Sequence, residues 1–149
     1  MKKRGFEKIT NYQKIEFSVP VRKTERSAGY DFYLPEDVII KSNAVTLVPT
    51  GIKAYMQNDE YLGMHIRSGT AMKMNLTLIN SQGIVDADYY NNEENEGHIM
   101  LLIYSFNKND VHLKKGERIA QGIFYKFLLA DDDDKNAKKV REGGFGSTR

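Results

Sequence analysis

The sequence predicts an all-β chain, a jelly-roll-like sandwich or distorted barrel with one short helix. Two observations carry that prediction. Apolar residues either alternate with polar ones or gather in short β-branched and aromatic runs bounded by turn residues. No segment keeps a helical period over three turns. Three prolines and nine tyrosines also suit strands better than disorder.

The elements follow in order. Ile15, Phe17 and Val19 alternate with polar neighbours and read as a first strand. Val38–Ile40, Val45–Val48 and Ile52–Met56 are short apolar runs separated by Lys41-Ser42-Asn43 and Thr50-Gly51, both turn-forming. Leu62, Met64 and Ile66 alternate again. Ser68–Met74 is the best helix, with Ser68 expected as its N-cap. Leu76–Ile79 follows as a strand. Ile99–Tyr104 and Ile119–Leu129 are nearly continuous apolar runs, the pattern of strands buried on both faces in a sandwich core or at a subunit interface. No internal repeat is present.

A chain of 149 residues is long enough for one domain with its own core. Residues 1–129 are expected to form it. Composition changes at 130–140, where Asp131 to Asp134 precede Lys135, Lys138 and Lys139, the pattern of a solvated linker. At about 3.3 Å per residue it spans roughly 35 Å, far enough to carry the glycine-rich residues 141–149 to a neighbouring subunit. A net charge of +2 gives no bulk electrostatic case for nucleic acid. No run of 18 apolar residues is available for a membrane. The basic start lacks the apolar region of a secretory signal, so the cytoplasm is expected. Zero cysteines exclude disulfides and thiolate chemistry, and His65, His98 and His112 are too scattered for a zinc pair.

Several short stretches carry chemistry. In Gly83-Ile84-Val85-Asp86-Ala87-Asp88-Tyr89 an acid directly behind an apolar pair falls at a strand end, placing Asp86 as a general base toward water, or as an ordinary turn aspartate. Asn80 ends an apolar strand with an amide that donates and accepts, complementary to the N3–H and O4 edge of uracil, and equally suited to terminating a strand. Arg67-Ser68-Gly69 leads into the helix, as an anion site or a plain cap. Asp31 sits between Tyr30 and Phe32, a carboxylate able to hold water on Mg²⁺. Gln121 lies where the last strand opens, as a phosphate donor or part of a hairpin. The tail offers Arg141, Phe145, Gly146, Ser147 and Thr148: an aromatic plate, hydroxyls, a guanidinium and unhindered N–H groups.

Taken together, five motifs in fixed order resemble those of the trimeric dUTPases, the dUTP nucleotidohydrolases. They are Ala28-Gly29-Tyr30-Asp31, Arg67-Ser68-Gly69, Gly83 to Tyr89, Gly116-Glu117-Arg118-Ile119-Ala120-Gln121 and Gly143-Gly144-Phe145-Gly146-Ser147-Thr148. The likeness covers almost the whole chain and is closest to the Gram-positive bacterial and phage type. It implies an all-β homotrimer whose three active sites are each built from all three subunits. The implied reaction converts dUTP to dUMP and pyrophosphate, keeping uracil out of DNA and supplying dUMP for thymidylate synthesis.

By the same resemblance, Asp86 orients the attacking water onto the α-phosphorus. Asn80 with the backbone of Gly83 and Ile84 reads uracil, and Tyr89 packs under the deoxyribose and leaves no room for a 2′-OH. Ser68 and Gly69, supported by Arg67, bind phosphates. Gln121 donates near the α-phosphate, and Asp31 supports, through water, a Mg²⁺ held mainly by the substrate phosphates. Arg141, Gly146, Ser147 and Thr148 close on the β- and γ-phosphates while Phe145 stacks on uracil, so that 141–149 is a flexible lid. A phage member of the family would add a regulatory protein partner.

Three positions depart from the family pattern. A longer acidic turn, Tyr90 to Gly97, replaces the usual Arg-Gly-Glu after Tyr89. Arg141 stands four residues before Phe145 instead of five, and Arg149 replaces a terminal glycine. A dCTP deaminase shares the fold, but Arg67-Ser68-Gly69-Thr70-Ala71-Met72 lacks that family's second Ser and Arg. A non-enzymatic partner protein is the rival from another class; intact Asp86, Tyr89 and Phe145 favour retained activity.

Overall fold

In a computed structural model the described residues are 1–133 and 143–144. They form strands β1 (Gly5–Lys8), β2 (Tyr30–Tyr33), β3 (Val38–Ile40), β4 (Val45–Pro49), β5 (Ile52–Tyr55) and β6 (Glu60–Ile66), the helix α1 (Ser68–Met74), then β7 (Leu76–Leu78), β8 (Gly83–Asp86), β9 (Met100–Ser105), β10 (Val111–Leu113) and β11 (Arg118–Lys126). All pairings are antiparallel. The main sheet runs β2-β11-β6-β8 and a second runs β4-β9-β7; the ribbons β1-β5 and β10-β3 complete the jelly-roll-like fold.

Period-two alternation explains the layering. In β6, Leu62 and Met64 are 0% and 1% exposed and point into the core, where Val85 and Phe124 stand directly opposite Leu62. Tyr61, Gly63 and His65 take the other face. Phe32, Ile40, Val48, Ile52, Leu101, Ile103 and Ile119 fill the same core from both sheets and both ribbons. On the outer face the rings of Tyr61 and Tyr125, a directly opposite pair, stack at 5.0 Å.

Most of the elements that the sequence places stand where expected, and four details of them differ. Ile15, Phe17 and Val19 are not a strand. No neighbouring strand pairs with them among the described residues; Phe17 instead packs on Tyr12 and lies 4.4 Å beneath the Lys8 ammonium, and Val19 stays 40% exposed. Ser68 is not the N-cap of α1: Arg67 holds the extended capping conformation and Ser68 is the first helical residue. Asn75, in the left-handed conformation, ends the helix. β11 ends at Lys126, opposite the first residue of β6, leaving Phe127, Leu128 and Leu129 outside the ladder and exposed. Asn80 lies two residues beyond the end of β7, in the turn rather than at the strand end.

Candidate active site

The β7–β8 hairpin builds the first half of the site. Its turn is closed by Ser81 N–H donating to the Leu78 carbonyl at 3.0 Å and Gln82 N–H donating to the Asn80 carbonyl at 2.7 Å, with Ser81 at positive φ. Beside it lies a cavity of about 180 Å³ lined by Asn80, Gly83, Ile84, Asp86 and Tyr89, with Met64 and Leu101 behind them. Four groups that the sequence singles out thus line one cavity: Asn80, the Gly83–Ile84 backbone, Asp86 and Tyr89. Ile84 is 62% exposed at its edge. Asp86, the last residue of β8, also lines a second cleft with Asn58, Ala87, Asp88 and Phe127. It is therefore reached from two sides.

Tyr89 ends the 3₁₀ turn that follows β8 and is buried. The long turn after it, which departs from the family pattern, is held closed by its own side chains. Asn92 Oδ1 accepts from the N–H groups of Glu94 and Asn95, both at 3.0 Å, and Asn92 Nδ2 donates to the Tyr89 carbonyl at 2.7 Å. Gly97 has φ of +89°, and a Cβ there would stand 2.8 Å from the Tyr89 carbonyl oxygen, so only glycine closes the turn without strain. From outside, the Lys53 ammonium on β5 reaches Asn91 Oδ1 at 2.6 Å and Glu96 Oε2 at 2.7 Å. The hydrogen bond from Lys53 holds the Glu96 carboxyl below its ordinary pKa. Tyr90 donates its hydroxyl to Glu7 at 2.6 Å, which pushes the phenol up to about 12.

The second half lies across the main sheet. The buried carboxylate of Asp31 on β2 accepts from Arg118 Nη1 at 3.0 Å and faces Arg67 Nε at 3.5 Å. Gln121 stands directly opposite Asp31 in the ladder, and its side chain lies over Gly29, where a Cβ would run into the Gln121 amide. Ser68 and Gly69 open α1, and the space where a Gly69 Cβ would stand is empty to 4 Å. Arg118 was not singled out by the sequence reading, although it lies inside the fourth motif; its partner Asp31, 87 residues away, is what marks it.

Within one chain the two halves do not meet. Asp86 pairs with Tyr61 at one end of β6, whereas Gln121 and Asp31 align with His65 toward the other. Four residues along the strand are roughly 13 Å and three strand spacings roughly 14 Å, so Asp86 and Asp31 stand roughly 20 Å apart. Both project from the same outer face, since directly opposite residues share a face.

Among the described residues no group of three or more His, Cys, Asp or Glu side chains forms a cage for a metal ion. Asp31, committed to two guanidiniums, still offers oxygens to a metal-bound water. That donor set fits a Mg²⁺ carried by phosphates and waters, the coordination Mg²⁺ generally prefers, and not a protein-held ion. Of the tail, Gly143 lies against the Glu94 carboxylate, and a Cβ at Gly144 would stand 2.9 Å from Tyr89 Cε1, so Gly144 lines one edge of the hairpin cavity. The expected roles of Arg141, Phe145, Gly146, Ser147 and Thr148 lie outside the described residues, as does most of the linker.

The chain matches known proteins along nearly all of its length. The family model for dUTPase matches residues 15–149. The chain is 49% identical over 148 residues to the deoxyuridine 5′-triphosphate nucleotidohydrolase of Lactococcus lactis subsp. lactis, covering 99% of each chain. It is 35% identical over 146 residues to the enzyme of the same name from Rickettsia massiliae, covering 95% of each. The crystal structure of a dUTPase from Streptococcus mutans superposes with a TM-score of 0.80 at 46% identity, over 85% of this chain and 98% of that one. A dUTPase of Staphylococcus bacteriophage 80alpha shares the fold at a TM-score of 0.69 and 17% identity, over 99% and 98% of the two chains. With the motifs in order, the hairpin cavity in place and the match running from end to end, this chain belongs to the dUTPase family.

Proposed function

We propose that the protein hydrolyses dUTP to dUMP and pyrophosphate. The observation that carries the reading is the convergence of Asn80, Ile84, Asp86 and Tyr89 on one cavity, in a chain of this family. Asn80 and the Gly83–Ile84 backbone pair with the edge of uracil, and cytosine is refused because its reversed donors and acceptors leave polar groups unpaired. Tyr89 lies under the deoxyribose. Asp86 takes a proton from water as the oxygen attacks the α-phosphorus; the bond from that phosphorus to the bridging oxygen breaks and pyrophosphate leaves. Mg²⁺, when bound with the triphosphate, neutralises phosphate charge.

The separation of Asp86 from Asp31 supports a shared site. A single chain cannot bring both to one triphosphate, so Arg67, Ser68, Gly69, Gln121 and the clamped Asp31 are supplied to each hairpin cavity by a neighbouring subunit of a homotrimer. The tail residues Arg141, Phe145, Gly146, Ser147 and Thr148 then close over the ligand as a lid, excluding water and orienting the chain of phosphates. Zero cysteines suit the reducing cytoplasm.

The test is pyrophosphate release with Mg²⁺ from dUTP, dCTP, dTTP and UTP in parallel. Release from dUTP alone is expected. Ammonia from dCTP without pyrophosphate would put the chain among deaminases, and silence with all four from a folded oligomer would refute the reading.

A further inference from the structure

We infer that Asn95, in the long turn after the hairpin, is a positioning residue for sugar discrimination. The inference rests on the reading of Tyr89 as the deoxyribose platform. Asn95 Nδ2 donates to the Tyr89 hydroxyl at 2.8 Å, and that hydroxyl donates to the His98 carbonyl at 2.6 Å. The phenol is thus held at its far end from two sides while its ring lines the cavity.

The direction of these bonds is forced. Asn95 Oδ1 accepts from Asn92 Nδ2 at 2.8 Å and from Gly97 N–H at 3.1 Å. A flipped amide would set NH₂ against two N–H donors, so the nitrogen must face Tyr89. The phenolic oxygen then receives a hydrogen from Asn95 and gives its own to the His98 carbonyl. Asn92 and Gly97 in turn are part of the turn's closure, and Lys53 with Glu96 ties that closure to β5. Rotation or tilt of the ring would break both bonds at the hydroxyl. A ring free to tilt is a poor barrier to one extra oxygen at C2′, since that exclusion depends on close contact and not on charge.

The experiment is kcat/KM for dUTP over that for UTP in the full-length protein, for Asn95→Ala, Asn95→Asp, Tyr89→Phe, Tyr89→Ala and the double variant Asn95→Ala with Tyr89→Phe. Asn95→Asp keeps the shape but replaces the donor with an acceptor, so it remains informative should the alanine variant fold poorly. Asn95→Ala and Asn95→Asp are expected to lower the ratio about fivefold, the effect of one net hydrogen bond. The double variant should show the same dUTP-to-UTP ratio as Tyr89→Phe alone, because without the hydroxyl the Asn95 side-chain nitrogen has no phenol to hold. An unchanged ratio in both Asn95 variants, with Tyr89→Ala lowering it, overturns the inference and leaves the Tyr89 reading standing. An unchanged ratio in Tyr89→Ala overturns both. Loss of activity toward dUTP and UTP in equal proportion would mark Asn95 as merely structural and also overturn it.

Discussion

Arg118 Nη1 stands 3.0 Å from Asp31 Oδ2, and this contact across the β2–β11 pair aims a guanidinium that would otherwise swing freely. Arg67 shares the same carboxylate and also donates to the Arg118 carbonyl at 3.4 Å, so three side chains set one another. A buried carboxylate that fixes two cations is a platform for a polyanion.

Asp31→Asn tests that platform. The amide keeps the shape and removes the charge, so the two arginines lose their anchor. The loss of a hydrogen bond to a charged group corresponds to about a 10- to 100-fold fall in kcat/KM for dUTP, with the fold intact by circular dichroism. Steady-state kinetics decide it; unaltered kcat/KM would remove Asp31 from the site.

Asp86→Asn separates chemistry from binding. With the general base gone, kcat should fall by about 10²- to 10⁴-fold, whereas a non-hydrolysable dUTP analogue should bind within a few-fold of its original affinity. Calorimetric binding together with single-turnover rates makes the comparison. Equal losses in both would assign Asp86 to holding the substrate.

Removing residues 143–149 asks whether the tail is a lid. Of these residues, Gly143 lies against the Glu94 carboxylate and Gly144 against the Tyr89 ring. A folded oligomer with a melting temperature close to that of the intact chain and activity reduced by about tenfold or more is expected. Full activity would end the lid assignment.

His98 gives the fold a pH dependence. Its Nε2 accepts from the Gly51 N–H at 2.9 Å, and burial holds its pKa below the ordinary histidine value. The native state therefore binds fewer protons than the unfolded chain. The stabilisation is complete above about pH 6.5 and diminishes as pH falls below that value, until the lowered folded pKa is passed. Melting temperatures from pH 8 to pH 5 should decline in the acidic half, and His98→Gln, whose amide accepts without titrating, should decline less. Parallel curves for the two proteins would assign the loss to other groups.

What could be read in the chain depended on how local the cause was. The helix at Ser68–Met74 and the strands around Leu62, Val38 and Ile52 follow from periodicity and turn residues only a few positions away. Ile15, Phe17 and Val19 have the same alternation and make no strand, because a strand needs a partner and alternation does not supply one. β1 and β10 escaped notice for the opposite reason: Gly5–Lys8 and Val111–Leu113 are short and interrupted by polar side chains, and their partners β5 and β3 lie far away in sequence. The site divides in the same way. Asp86, Asn80 and Tyr89 are legible because one hairpin carries them. Arg118, Lys53 and Asn95 act through hydrogen bonds to groups whose nearness only folding creates, and nothing in their immediate neighbours announces it.

Because roughly 20 Å of sheet separates Asp86 from Asp31, two broken alleles of this protein should repair each other. A subunit carrying Asp86→Asn still offers a sound arginine clamp, and one carrying Asp31→Asn still offers a sound hairpin. Where neighbouring subunits complete each cavity, a one-to-one mixture assembled at random regains about a quarter of its sites. Two impaired preparations would gain activity on unfolding and refolding together, an inheritance pattern in which damage belongs to the cavity and not to the gene copy.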